Sequence, residues 1–177
     1  MAQAAPRVRV FIAVGSNIDP ERHIARGLDL LAGCVTVTGV STFYRSEALR
    51  RPQDPPFLNG IVAVETDISP RPLKFDVLRR IEEASGRVRT ADAYAPRTLD
   101  LDIVMYGDTV VRAPDLEIPD PDLLERPFLA VPLLELAPDL ILPDTGTPLS
   151  WIVSRMDVSG MTPDPAFSMQ LKETVYR

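Results

Sequence analysis

The stretch Val8-Arg9-Val10-Phe11-Ile12-Ala13-Val14-Gly15-Ser16-Asn17-Ile18-Asp19-Pro20 carries two successive signals. Val8 to Val14 is an apolar run rich in β-branched side chains, the pattern of a buried strand, and Gly15-Ser16-Asn17 reads as a tight turn that ends it. Asp19 and Pro20 then suit the N-cap and first position of a helix. Its Ile24, Leu28 and Leu31 recur at helical spacing, and Gly33 can close its end.

Outward from this strand-helix unit the same grammar repeats. Val35 to Tyr44 reads as a second strand and Asn59 to Thr66 as a third. Between them, Arg45 to Phe57 dissolves into Arg50, Arg51, Pro52, Pro55 and Pro56, the composition of an exposed loop that is long enough to be a lid or binding segment. Ser69-Pro70 opens a second helix with Leu73, Val77, Ile81 and Ala84 on one face and Gly86 at its stop. Arg87 to Pro96 is a further loop, and Leu99 to Tyr106 a fourth strand. Strand, helix, strand, strand, helix, strand predicts an α+β, ferredoxin-like fold of the split β-α-β kind: an antiparallel sheet with helices packed on one face and the other face free for ligands. From Pro114 to Leu149 proline recurs too often for long regular elements, so this part is expected to add irregular C-terminal elements. One domain over residues 1–156 is expected, followed by a weakly patterned tail, 157–177, because Asp157 to Pro165 is polar and proline-rich.

Composition narrows the classes of function. A chain of 177 residues, 45% apolar, suffices for one core and not for two full-sized ones. Cys34 is the only cysteine, so neither an internal disulfide nor a thiolate metal cage can form, and a reducing cytoplasmic setting is expected. Met1 to Pro6 lacks an apolar export segment, and the run Leu129 to Leu142 is broken by Pro132, Glu135, Pro138 and Asp139, so no membrane is expected. A net charge of −6 argues against general nucleic-acid binding and requires any phosphate site to be a local basic island.

The chemistry concentrates in Gly86-Arg87-Val88-Arg89 and Ala95-Pro96-Arg97-Thr98-Leu99-Asp100-Leu101-Asp102. Alternation along a strand puts Asp100 and Asp102 on one face and Leu99, Leu101 and Ile103 on the other. Adjacent carboxylates repel unless a proton or cation lies between them, and hard oxygen ligands suit magnesium. Arg87, Arg89 and Arg97 bring guanidinium forks that match phosphate oxygens. Together these are the requirements of phosphoryl or pyrophosphoryl transfer, which rests on positioning and charge neutralisation. The Asp pair alone is read equally well as salt-bridged side chains on a solvated sheet edge.

The string Gly86 to Asp102, with Glu82 upstream, resembles the signature of the 6-hydroxymethyl-7,8-dihydropterin pyrophosphokinase family. The resemblance extends over Val14-Gly15-Ser16-Asn17, Ser41 to Tyr44, Phe57-Leu58-Asn59, Thr66 to Pro70, Ile118-Pro119, Arg126-Pro127-Phe128 and Pro132-Leu133-Leu134-Glu135. It implies pyrophosphate transfer from ATP to the pterin hydroxymethyl group, with release of AMP, in folate biosynthesis. It further implies two Mg2+ ions on Asp100 and Asp102, and a triphosphate among Glu82, Arg87, Arg89, Arg97 and Arg126. Arg87 and Arg97 join the Asp pair as catalytic groups. Ser46, Leu49, Phe57, Asn59, Tyr94 and Phe128 are implied to bind the pterin, Asn59 through its amide and the aromatics by stacking. Read alone, Phe57 and Phe128 fit a core better than a stacking site, and Asn59 fits a turn equally well. The two loops match the family's mobile lids, and small-molecule substrates acting on a monomer are expected.

Asp120, in Pro119-Asp120-Pro121-Asp122, stands where the family commonly has a histidine facing the nucleotide phosphates. Thr90 and Ala93 are uncharged where relatives often carry Lys or Arg. The alternative expectation is therefore a degenerate relative that binds pterin or nucleotide with little catalysis. His23, the only histidine, reads as an exposed helical residue, and an RNA-binding sheet face is disfavoured by the acidic charge.

Overall fold

A computed structural model describes residues 5–176. β1 (Val8–Ser16), β3 (Phe43–Ser46), β4 (Phe57–Thr66), β5 (Asp100–Tyr106) and β8 (Met161–Asp164) follow the order β5-β1-β4-β3-β8 in a six-stranded sheet with β5 at one edge, and β2 (Thr36–Val40) also pairs with β4 beside β3. All these pairings are antiparallel. With β2 and β3 taken as one interrupted strand, this is the strand order of the expected ferredoxin-like fold. The interruption falls at Ser41-Thr42, inside the expected strand 35–44. Glu135 accepts from Thr42 N at 2.9 Å and from its hydroxyl at 3.0 Å, while Ser41 Oγ accepts from Ile61 N at 2.9 Å. Side chains thus satisfy the backbone where the ladder breaks.

On one face, α1 (Pro20–Ala32) buries Ile24, Leu28 and Leu31 against Val10, Ile12, Val62 and Val64. Burial of such side chains contributes about 1.5–3 kcal/mol each, the main driving term of the fold. Beside α1 runs the second helix, made of α2 (Pro70–Pro72), a π-type stretch (Leu73–Leu78) and α3 (Arg79–Ala84). Its buried face is Leu73, Leu78, Ile81 and Glu82, whereas Val77 is half-buried and Ala84 exposed. The five-residue step from Leu73 to Leu78 matches the widened turn, in which Arg79 N donates to Lys74 O. Neither expected cap bond forms at the starts of these helices. Asp19 adopts a left-handed conformation (φ 43°) and Ser69 makes no side-chain cap, so proline at the first position carries the signal.

The opposite face is only partly open. α4 (Pro127–Leu136) and α5 (Leu149–Val153) cover it with Leu129, Leu133, Leu149 and Ile152 packed on Phe11, Ile61, Ala63 and Met105. The proline-rich region therefore does contain a ten-residue helix, with Pro132 inside it. Its missing N–H costs one helical bond, which packing of the apolar face outweighs. A two-stranded hairpin, β6 (Val111–Ala113) and β7 (Leu116–Ile118), precedes it.

Residues 157–176 differ from the expected weak pattern. β8 (Met161–Asp164) pairs with β3 at the sheet edge, where Pro163 is tolerated, and α6 (Pro165–Val175) buries Phe167 and Leu171. Asp164 caps α6 by accepting from Phe167 N at 3.1 Å, and Phe43 meets Phe167 edge to face at 5.8 Å. The end of the chain completes the core begun by β1.

Candidate active site

Three neighbouring strands build the floor. β1 lies between β4 and β5 with Gly15 opposite both Asn59 and Asp100, and Ala13 opposite Asp102. Gly15 is therefore a strand residue and not a turn residue, and its lack of a side chain opens the floor. A Cβ there would lie 2.3 Å from Asn59 Oδ1. β4 starts two residues earlier than expected, so Asn59 projects from within the strand. Phe57, two residues before it, shares its face.

β5 carries Asp100 and Asp102 on this floor, each about two-fifths exposed. A register irregularity at Val104 then ends the alternation, and the Val104 carbonyl accepts from Asp120 N at 2.9 Å. That bond moors the Asp120 segment beside the Asp pair. Asp120 caps the 3-10 turn Pro121–Leu124 by accepting from Asp122 N at 2.9 Å. Partial burial and the nearby Asp102 and Asp122 charges push its carboxyl up to about 6. Asp102 is also pushed above the usual carboxylate range, first by burial, with the Asp100 charge adding, while Lys74 opposes.

Behind the floor, Glu82 is buried. Its Oε1 accepts from Leu101 N at 2.9 Å and from Arg87, and its Oε2 from Arg89. Burial raises its pKa, and the Leu101 N–H together with the two guanidinium charges works against that rise. Arg87 also reaches Asp100 Oδ1 and the Leu99 carbonyl, while Arg97 Nη1 holds Asp100 Oδ2 at 3.0 Å. Asn17 fixes the approach: its Oδ1 accepts from Arg97 N at 2.8 Å and its amide donates to Pro55 O at 3.2 Å.

A cavity of about 430 Å³ opens over this floor. Ser46, Leu49, Phe57, Asn59, Tyr94 and Phe128 line it together with Arg97, Asp100, Asp102, Asp120 and Arg126. The two loops above it touch each other: Arg51 pairs with Asp92, and the Arg50 guanidinium lies 5.0 Å from the Tyr94 ring centre. Arg126 Nε is buried and has no hydrogen-bond partner among the described residues. An unpaired buried guanidinium nitrogen is costly and suits an anionic ligand.

The structure thus brings all six expected pterin-binding residues to one cavity, with Arg97, Arg126, Asp100 and Asp102. Glu82, Arg87 and Arg89 stand outside it; Arg87 reaches it through Asp100, and Arg89 pairs with Glu82 behind it. Sequence reasoning missed Lys74, whose Nζ lies 3.0 Å from Asp102 Oδ1, and gave Asn17 no role. Lys74 left no signal because the widened turn displaces it from α-helical register. Asn17 looked like a turn residue.

Paired strand carboxylates, one held by guanidinium groups and the other by an ammonium, beside a part-aromatic cavity, define a phosphotransferase that works by positioning two substrates over a sheet. Comparison with known proteins makes this specific: the chain belongs to the 7,8-dihydro-6-hydroxymethylpterin-pyrophosphokinase family, whose model matches residues 11–138. A 2-amino-4-hydroxy-6-hydroxymethyldihydropteridine pyrophosphokinase of Synechocystis is 37% identical over 156 residues, 86% of this chain and 78% of that one. The Pseudomonas aeruginosa protein of the same name is 40% identical over 139 residues, 77% of this chain and 85% of that one. A folic acid synthesis protein of Schizosaccharomyces pombe is 37% identical over 154 residues, which are 85% of this chain but only 21% of that longer protein.

Proposed function

We infer that this chain is an ATP-dependent diphosphotransferase that moves pyrophosphate from ATP to the hydroxymethyl group of 6-hydroxymethyl-7,8-dihydropterin in folate biosynthesis. The carrying observation is the convergence of Asp100, Asp102, Arg97, Arg126 and Asn59 on one cavity. In our reading the pterin lies on the Gly15 floor, its amide edge on Asn59 and its ring between Phe57 or Tyr94 and Phe128, with Ser46 and Leu49 at the wall. Arg126 and Arg97 take the phosphates. Arg87, held by Glu82, fixes Asp100 from behind, so Glu82 acts through Arg87, while Arg89 pairs with the other Glu82 oxygen.

Asp100 and Asp102 fit a magnesium site of the shared kind. Among the described residues no group of three or more His, Cys, Asp or Glu side chains could hold a metal, so the pair supplies only part of a coordination sphere. Magnesium accepts such an arrangement when substrate phosphates complete it. We assign two ions there; they supply charge neutralisation and polarisation of the β-phosphorus. The hydroxymethyl oxygen then bonds to that phosphorus and gives up its proton, finally to solvent, the bond from the phosphorus to the oxygen bridging it to the α-phosphate breaks, and AMP leaves with that oxygen. Closure of the loops 47–56 and 87–96 excludes water that would hydrolyse ATP.

The alternative of a binding protein with little turnover gains no support: the carboxylates and guanidiniums are present, and Asp120 is engaged as a helix cap. No helix among the described residues is long and apolar enough to cross a membrane. We place the reaction in the cytosol and read the acting form as a monomer without nucleic acid. Incubating the protein with Mg2+, ATP and the hydroxymethyl pterin should yield AMP, and ADP in its place would refute the reading. Asp100→Ala and Asp102→Ala should each abolish turnover while the circular dichroism stays unchanged; full activity in both would defeat the metal assignment.

A further inference from the structure

Each floor carboxylate is held by a protein cation. Asp100 is engaged by Arg87 and Arg97, and Asp102 by Lys74, whose Nζ donates to Oδ1 at 3.0 Å. The two arrangements differ in kind. Arg97 and Arg87 are the expected phosphate-binding groups, whereas Lys74 comes from the opposite side of the sheet edge, on the widened turn of the 70–84 helix. That turn buries Leu73 and Leu78 five residues apart and directs Lys74, half-buried, to β5. Its charge also acts on Asp120, the third carboxylate bordering this part of the cavity.

A lysine suits a contact that must be given up. Its ammonium is a compact point charge on a flexible stem, free to move by rotation about single bonds, whereas an arginine fork would grip both carboxylate oxygens. A cation facing a carboxylate that later binds a divalent ion competes with that ion for the same oxygen. On the reading that Asp100 and Asp102 ligate magnesium, we propose that Lys74 is a positioning residue that occupies the cation side of Asp102 in the nucleotide-free protein and is displaced by the metal. The free enzyme then holds divalent ions weakly, and the metal is taken up chiefly with the nucleotide, whose phosphates supply the missing ligands. Displaced from Asp102, the ammonium stays near Asp120 and offsets its charge.

The test is Mn2+ binding to the nucleotide-free protein, followed by the paramagnetic signal of the free ion, in wild type, Lys74→Met, Lys74→Gln, Lys74→Arg and Asp102→Asn. Removing a unit positive charge about one ion-pair distance from the metal position should tighten Mn2+ binding about tenfold in both neutral variants. Lys74→Arg should stay at or below the wild-type affinity, and Asp102→Asn should lose the site. Unchanged or weaker Mn2+ binding in Lys74→Met and Lys74→Gln, with the site still lost in Asp102→Asn, overturns the role of Lys74 and leaves the metal ligands standing. Undiminished binding in Asp102→Asn overturns both.

Discussion

Replacing Asp120 by Asn tests whether the acidic cluster destabilises the fold. The side chain keeps its acceptor, so the cap on Asp122 N at 2.9 Å survives, and only the charge is removed. In the folded protein the Asp120 carboxyl is pushed up to about 6, by burial first and then by Asp102 and Asp122, against 3.8 ordinarily. The sign follows from proton counting. Between pH 4 and 6 the folded state holds a proton that the unfolded chain has released, so wild-type stability falls as pH rises through that window and stays flat above it. At about 1.4 kcal/mol per pH unit the full gap has a ceiling of about 3 kcal/mol. Because Asp120 keeps some contact with water and Lys74 lies near, a gain of about 1–2 kcal/mol in Asp120→Asn at pH 7 is the expected outcome. Urea denaturation of the nucleotide-free proteins at pH 4, 5, 6 and 7 reads it directly. The advantage should be near zero at about pH 4 and reach its plateau just above pH 6. A constant advantage at every pH, or none at pH 7, would refute the reasoning.

Other outcomes follow from the same contacts. Glu82→Ala leaves the buried Leu101 N–H without its acceptor and takes from Arg87, whose side chain is 12% exposed, one of its two carboxylate partners. It should cost about 3 kcal/mol in denaturant unfolding, whereas Arg89→Ala, half-exposed, should cost under about 1 kcal/mol. Asp164→Ala removes both the α6 cap and the 2.9 Å pair with Arg45, and about 1–2 kcal/mol of stability should go with them. The Asp164 carboxyl is held below the usual range by Phe167 N–H and then Arg45, and Glu21 by Arg45, so their contribution is present above about pH 4 and lost as pH falls further. Amide exchange within α6, compared at pH 7 and pH 3, should show that loss in wild type and not in Asp164→Ala. Gly15→Ala places a Cβ 2.3 Å from Asn59 Oδ1 and should raise the KM for the pterin at least about tenfold with little change in Tm.

The sheet was legible because its central strands, covered on both faces, are apolar runs rich in β-branched side chains, and because its first two helices begin at proline. Misreadings arose where a side chain replaced a local signal. Ser41 and Glu135 break what reads as one strand, and no pattern within Val35 to Tyr44 announces a carboxylate arriving from residue 135. The Leu73 to Leu78 step violates α-helical spacing, so the periodicity selected Val77 and Ala84 in place of Leu78 and Glu82. Asp164-Pro165 carries the signature recognised at Asp19-Pro20 and Ser69-Pro70, yet the polar stretch before it hid the helix. It is the one of the three whose side chain makes the cap. The cavity residues were legible through family resemblance, while their spacing alone left the Asp pair divided between metal and salt bridge.

That division dissolves once the pairs are read as an exchange. Arg87 and Arg97 neutralise Asp100, and Lys74 neutralises Asp102, and on the proposed metal assignment both readings of the sequence would describe the same carboxylates before and after a metal binds. On that proposal an acidic protein could bind a polyphosphate because its cations are already collected beside the carboxylates. Binding would then substitute metal for cation on the aspartates and phosphate for carboxylate on the arginines. Much of the cost of assembling the site is met on folding, through Glu82 and the Leu101 N–H, before either substrate arrives.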